Sequence, residues 1–369
     1  MPQTDPLRRL VAVTLGLMLA ILIGWLLLLG KSFLIPIVIA VLSVYVIASA
    51  SAAMGRWRGS AWMPPLLRKL LLVLGFLAVL AGFNWVVILT AQDLMALAPR
   101  YQENLERLIA QGMALFGIAG NPDWQTISDF IFGRIDMQAM VGLMAGSVGN
   151  MVGILVLAAV YAIFLAAEAS ELPRKIAVAM PDENQARRMS EIIRSVNDHI
   201  GEYIAVKTLI NLIIGGICYV ILLLFGVDHA LFWALIIALL NYIPYFGSLV
   251  AVVFPVLMAL VQSGSMALTL AVAASLTAAQ MWVGNWLEPR MIGRRVNMSP
   301  FVVVAALSFW TAFWGVAGAI LAVPMTSVLM ILLAEFRQTR PIAVMLANDV
   351  SAFERDGLSG PGHDPGSPG

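Results

Sequence analysis

Long apolar runs separated by short polar stretches set the pattern of this chain. Leu10 to Leu29 is continuously apolar for about 20 residues, the length a helix needs to cross a hydrocarbon layer roughly 30 Å thick. Similar stretches lie at 33–52, 70–91, 148–167, 207–226 and 266–287, so about six full transmembrane helices are expected. Arg8 and Arg9 precede the first stretch in the manner of a secretory signal, but it is long and no small-residue cleavage site follows, so it reads as a retained span. Two further runs, 230–262 and 300–334, fit no single crossing. The first, as a straight helix, would be about 50 Å long, and two complete crossings would need roughly 40 residues plus a turn.

Basic residues in short loops orient the spans. Arg8, Arg9, Arg56, Arg58, Arg68 and Lys69 place both ends of the first two spans in the cytoplasm, while the acid-rich segment 92–147 faces outward. Arg290, Arg294 and Arg295 before run 300–334, with Arg337 and Arg340 after it, put both of its ends on the cytoplasmic side. Run 230–262 starts after the outer loop Val227 to His229 and must also return to its own side. Each is therefore expected to be a broken or re-entrant hairpin.

The stretch Asn241-Tyr242-Ile243-Pro244-Tyr245-Phe246-Gly247-Ser248 supplies the break in the first run. Pro244 removes a backbone donor and Gly247 permits a sharp turn. Non-helical backbone at membrane depth has to be buried in protein or line a wet cavity, which makes the tip a candidate transport site. In the second run Trp314 and Gly315 precede Pro324, much as Phe246 and Gly247 precede Pro255. Each broken run follows one full crossing of opposite direction, the arrangement of an inverted-topology repeat in the C-terminal half.

Outside the membrane, Pro99 opens an amphipathic stretch with Tyr101, Leu105, Leu108, Ile109 and Phe116 near one face; a shorter helix is expected at 124–140. The segment could serve as a lid or subunit contact, or could simply pack on the membrane domain. On the other side, Met189, Ile193, Val196, Ile200 and Tyr203 or Ile204 form a stripe on a helix that feeds into the span at 207. The organisation is thus N-terminal spans 1–91, outer segment 92–147, a span at 148–167, a cytoplasmic helical segment 168–206, a transmembrane core 207–334 and a tail 335–369, whose Gly-, Pro- and Ser-rich end is expected to be disordered.

Composition agrees with this class: 61% of the 369 residues are hydrophobic, 12% are charged and the mean hydropathy is +0.91, an all-α polytopic membrane protein's profile. A net charge of +1 without a basic cluster gives no nucleic-acid surface. The lone Cys218 and three scattered histidines offer no metal site, and no cofactor is expected. No span interior carries a His, Asp or Glu, and no phosphate-binding glycine loop is present, which argues against an enzyme. Polar residues in or near spans are mostly neutral: Asn84, Asn211, Asn241, Gln280 and Asn285, with Glu168, Lys207 and Glu288 toward span ends. Amides suit a small polar solute or bond helices together. Glu288, beside Pro289 and Arg290, is the candidate proton or cation carrier, or else a surface ion pair with Arg290 or Arg294.

The runs ALLNYIPYFGSLVAVVFP, NWLEPRMIGRRVNMSPFVVVAALSFW and WGVAGAILAVPMTSVLMILL closely resemble the autoinducer-2 exporter family of bacterial membrane proteins, and the resemblance extends over residues 10–349. It implies an inner-membrane exporter or facilitator, set in the lipid bilayer and assembled as a homo-oligomer such as a pentamer, while the basic flanks place both termini in the cytoplasm. Signature positions match at Asn241, Pro244, Gly247, Glu288, Pro289, Arg290, Gly293, Pro300, Gly315 and Pro324; of these Asn241, Pro244, Gly247, Glu288, Arg290, Gly315 and Pro324, with Tyr242, Asn285 and Trp314, are the transport-pathway or gating candidates. Phe309-Trp310-Thr311-Ala312 stands where the family tends to have Phe-Trp-Gly-Trp. The resemblance leaves export of a solute such as autoinducer-2, sodium (cation)/proton antiport and, from a different class, a non-transporting membrane scaffold as readings.

Overall fold

The computed structural model describes residues 6–56, 63–115, 153, 154, 156–165, 168, 171–180, 182–292, 297–336 and 338–351. All regular structure among the described residues is helical. The second outer helix expected at 124–140, Phe116, Gly293, Arg294 and the tail after 351 lie outside them.

Helix α1 (Pro6–Leu29) and α2 (Lys31–Arg56) correspond to the first two apolar stretches. They meet at Gly30 in an elbow of 84°. Gly30 donates its N–H to the Leu26 carbonyl (2.8 Å) and accepts from the Leu34 N–H (2.8 Å), and the corner is tight, since an added Cβ there would lie 2.9 Å from the Leu26 carbonyl oxygen. Helix α3 (Pro65–Leu115) carries the third stretch and continues through Pro99. A proline costs one hydrogen bond and a kink, and the surrounding Leu, Met, Ala, Glu and Arg residues are strong helix formers that carry the helix past it. Span and outer helix are therefore one 51-residue rod.

Helix α4 (Val156–Leu165) presents Ala158 and Ala162 to Ala40 of α2, a contact of small side chains that lets helices approach closely. Helix α5 (Leu172–Ala179) is short and exposed. Helix α6 (Glu183–Leu224) joins the amphipathic stripe and the span at 207 without interruption, as the sequence suggests, burying Ile200, Tyr203 and Ile204. After it come α7 (Ala230–Leu240), α8 (Phe246–Ser263), α9 (Met266–Trp282), a π-turn at Val283–Leu287, α10 (Glu288–Ile292), α11 (Pro300–Glu335) and α12 (Arg340–Leu346).

The chain forms two compact units, one of Met1–Val44, Ile154–Val196 and Asn297–Gly369, the other of Tyr45–Gly153 and Asn197–Val296. Each contains one of the two broken runs. In the second unit the core is a ladder on α6, with Ile210, Ile214, Cys218 and Leu222 at four-residue spacing, packed with Ile237, Ala251, Ala259, Val272, Leu276 and Val283. In the first, Ile35, Trp314 and Leu321 form one cluster and Ala306, Trp310 and Ala322 another.

Both broken runs fold back on themselves. At the first, α7 ends at Leu240, Tyr245 takes a positive φ of 59°, and α8 starts at Phe246. A Cβ placed on Gly247 would lie 1.8 Å from the Leu240 carbonyl oxygen, so the two limbs touch backbone to backbone there. At the far end Gln262 accepts from the Asp228 N–H (2.7 Å) and donates to the Gly226 carbonyl (2.8 Å), tying start to finish. The 11 residues of α7 reach only about 16 Å, roughly half the hydrocarbon thickness.

The second run, α11, contains Gly315 at φ 58°, ψ −137°, a conformation reserved for glycine. Trp310 Nε1 donates to Thr326 Oγ1 across the fold (3.0 Å), although a straight helix would separate these residues by about 24 Å. A Cβ on Gly318 would lie 1.9 Å from the Trp310 carbonyl oxygen. The start of α11 is tied to the chain leaving α12: Ser299 N–H bonds the Leu346 carbonyl (3.2 Å), and Asn297 exchanges bonds of 2.6 and 2.7 Å with the Asp349 backbone.

The two breaks thus share one device, and its register differs from the sequence pairing of Gly247 with Gly315. The crowded glycine is Gly247 in one hairpin and Gly318 in the other; the positive-φ residue is Tyr245 in one and Gly315 in the other. Beyond each crowded glycine small or compact residues follow at four-residue spacing on the buried face, Ala251, Pro255 and Ala259 in α8, Ala322 and Thr326 in α11. Such a face lets antiparallel limbs sit at close range.

A buried polar seam beside the first break

Where α6 enters its apolar half, Tyr203, Lys207 and Asn211 sit about one turn apart on a single face, with Thr208 at its edge. Each has a counterpart on a neighbouring element of the same unit. Lys207 is a buried cation, its side chain 3% exposed, and its Nζ lies 2.5 Å from Glu288 Oε1 at the start of α10. Thr208 Oγ1 is 2.8 Å from the Tyr242 hydroxyl, and Asn241 Nδ2 donates to Asn211 Oδ1 (2.8 Å). Asn241 and Tyr242 are the first two residues of the break after α7, so the break is docked onto α6 by its side chains. Tyr203 is buried and lies close to both Glu288 and Tyr242.

The seam is neutral as a whole, because the one ammonium and the one carboxylate cancel. A buried ion pair is tolerated when its charges are matched and bonded, and removal of one partner is far more costly than removal of both. The Asn211 amide faces the Tyr242 hydroxyl without a bond of ordinary geometry, and on α9 Gln280 Nε2 is buried without a hydrogen-bond partner among the described residues. Unpaired buried donors are rare because each forfeits the bond that water gave it, so each invites an acceptor oxygen.

Of the sequence-derived candidates, the structure brings Asn241, Tyr242 and Glu288 together here. Pro244 and Gly247 shape the break; Pro244 accepts the Phe246 N–H (2.6 Å) and Gly247 allows the limbs to cross. Glu288 does not pair with Arg290, whose guanidinium instead lies 4.0 Å from the centre of the Trp286 ring. Asn285 is exposed on the outside of the π-turn, away from the seam's bonds. Trp314, Gly315 and Pro324 belong to the hairpin of the other unit. There Trp314 is buried and donates Nε1 to the Leu27 carbonyl (3.0 Å), Gly315 makes the break, and Pro324 is buried in the second limb. Lys207 as Glu288's partner escapes sequence reasoning because the two are 81 residues apart and no local spacing links them. The signal available is a charged residue at the boundary of an apolar run, facing the same way as the stripe of Ile200 and Tyr203.

The outer end of α3 makes a separate set of contacts with the same unit. Tyr101 donates to Asp228 (3.2 Å), and Asn104 Nδ2 donates to the Val261 (3.1 Å) and Gln262 (2.7 Å) carbonyls at the end of α8. Burial, together with the Asp228 carboxylate, pushes the Tyr101 hydroxyl up to about 12.

The profile of the AI-2E family transporters matches residues 15–338, most of the chain. Among individual proteins, the chain is 34% identical to YhhT of Escherichia coli K12 over 58% of its length and 61% of YhhT's. It is 34% identical to a protein of Borreliella burgdorferi over 41% of its length and 42% of that protein's, so these two relatives are matched over less than two thirds of their length. A third match, AI-2 transport protein TqsA of Escherichia coli K12, is 26% identical but covers 92% of this chain and 95% of that protein. Asn241 and Glu288 of this seam, with Pro244 and Gly247 of the break beside it, are positions on which the family resemblance rests, and the chain, an all-α polytopic membrane protein, belongs to the AI-2E transporter family.

Proposed function

We propose that the chain moves a small polar solute across a bacterial inner membrane, with its termini in the cytoplasm, through the place where the first hairpin break meets α6. The observation that supports this most is the seam itself: Thr208 pairs with Tyr242 and Asn211 with Asn241, joining the break to α6 through neutral polar side chains. Each hydrogen bond of this kind is worth about 1 kcal/mol net, so the break can part from α6 at low cost while the core ladder on α6 stays packed. A solute rich in acceptor oxygens replaces the parted bonds. Autoinducer-2, for which the TqsA relative is named, is such a solute and the first cargo to test. A homo-oligomer is part of this reading.

The test is efflux from loaded proteoliposomes made with the purified chain, with Asn241→Leu and with Pro244→Ala, against protein-free vesicles. Efflux by the wild type that falls several-fold in both variants supports the reading. Efflux equal to that of empty vesicles, or unchanged in both variants, overturns it.

One observation favours a second reading, cation/proton exchange: a lysine 3% exposed is bonded to a carboxylate 27% exposed, a pair that a cation or proton could open. Sodium-dependent proton movement that survives Glu288→Gln removes that residue from the role.

A further inference from the structure

Glu288 meets the polar face of α6 at the end of a helix that is widened by one residue. Between α9 and α10, Val283–Leu287 forms a π-turn, closed by the Glu288 N–H bonding to the Val283 carbonyl five residues back. A π-turn absorbs one extra residue, so everything after it is rotated relative to a continuous α-helix by one residue's angle, about 100°. In an uninterrupted α-helix the azimuth held by Glu288 would belong to Leu287. The carboxylate would then swing off the Lys207 face, and a buried ammonium would be left without its partner.

The sequence contains a reason for the widened turn. Pro289 follows Glu288 directly, has no N–H to give to the Asn285 carbonyl, and in an α-helix its ring strikes that carbonyl. Opening the preceding turn relieves the collision. Gly284 is exposed with no atom within 4 Å of an added Cβ, so no contact there requires a missing side chain. The neighbouring Trp282 and Trp286 stack with ring centres 5.3 Å apart, and Val283 is buried in the core.

We infer that Pro289 is a positioning residue: by forcing the π-turn at Val283–Leu287 it sets the register that puts Glu288 on Lys207. For its consequence in transport this rests on the role proposed above for the seam; the register itself is measurable without any cargo. Replacing Pro289 lets the turn close to α and moves Glu288 off Lys207. Deleting Gly284 at the same time removes the extra residue, so that an α-helix again delivers Glu288 to the same face.

The experiment is a double-mutant cycle read by thermal unfolding of the purified full chain in detergent. Lys207→Met, Glu288→Gln and the pair are made in three backgrounds: wild type, Pro289→Ala, and Pro289→Ala with Gly284 deleted. The expected result is non-additive Tm shifts in the wild type, additive shifts in Pro289→Ala, and non-additive shifts again once Gly284 is deleted. As a second readout, exchanging Leu287 and Glu288 restores the coupling in the Pro289→Ala background and abolishes it where Pro289 is kept. Coupling that persists in Pro289→Ala, or that the deletion does not restore, overturns the inference. Because the cycle reads the ion pair and not solute movement, failed efflux with an intact pattern counts against the transport reading alone.

Discussion

The crossing of hairpin limbs at Gly247 and Gly318 is open to a direct perturbation, a single methyl group. In Gly247→Ala the new Cβ would start 1.8 Å from the Leu240 carbonyl oxygen and 3.3 Å from Ile243 Cβ; in Gly318→Ala it would start 1.9 Å from the Trp310 carbonyl oxygen and 3.1 Å from Trp314 Cβ. Contacts under 3.0 Å are essentially never seen for a real Cβ, so the limbs would have to part by about 1.2 Å at Gly247. Backbone cannot step aside as a flexible side chain can. Overpacking a core costs roughly 1–3 kcal/mol where side chains yield, so each substitution is expected to cost about 3 kcal/mol or more. Gly216→Ala on α6, where nothing lies within 4 Å, is the control and should be neutral or slightly stabilising, since alanine is the better helix former by up to about 1 kcal/mol. Denaturant or thermal unfolding of the three purified variants reads the difference. Gly247→Ala and Gly318→Ala as stable as Gly216→Ala would mean that the limbs do not cross at these glycines.

Further outcomes are expected elsewhere. Lys207→Met alone should destabilise the protein by roughly 3 kcal/mol, and Lys207→Met with Glu288→Met by less, because the first leaves a carboxylate facing an emptied buried site and the second removes both charges; chemical unfolding of the single and double variants checks the order. Trp310→Phe should cost about 1 kcal/mol through loss of the Nε1 bond to Thr326, and adding Thr326→Val to that variant should cost little more; a cycle of the two substitutions measures it. The Tyr101 hydroxyl, raised to about 12 by burial and Asp228, is more acidic when unfolded, so its contribution is complete below pH 10 and fades as pH rises from 10 toward 12. The alkaline fall in Tm over that range should be shallower in Tyr101→Phe.

Much of the architecture is readable from the chain because lipid imposes simple rules on sequence. Apolar length and the siting of arginines mark the runs 230–262 and 300–334 as segments that return to their own side, and both do fold back. What escapes is register. Gly315 follows an aromatic residue as Gly247 does, yet the close approach falls on Gly318, three residues later, because the positive φ is carried by Gly315 in one hairpin and by Tyr245 in the other. Pro99 reads as a helix start but lies within α3, since good helix formers on both sides outweigh one lost hydrogen bond. The same limit applies to the candidate site. Asn241, Tyr242 and Glu288 are legible as polar residues in apolar company, whereas Lys207, Thr208 and Tyr203 join them only through pairing between α6 and distant elements. Asn285 is equally promising in sequence but lies exposed within the π-turn.

The most direct test of the seam as a passage is to tether it shut. With Cys218 replaced by Ser, Thr208→Cys and Tyr242→Cys are introduced together and bridged by a short, reducible bifunctional thiol reagent, and autoinducer-2 efflux from proteoliposomes is followed before bridging, after it and after reduction. If solute passes through the seam, efflux stops on bridging and returns on reduction, with each single-cysteine variant unaffected by the reagent. Efflux that continues at the same rate through the bridged protein would contradict a passage there.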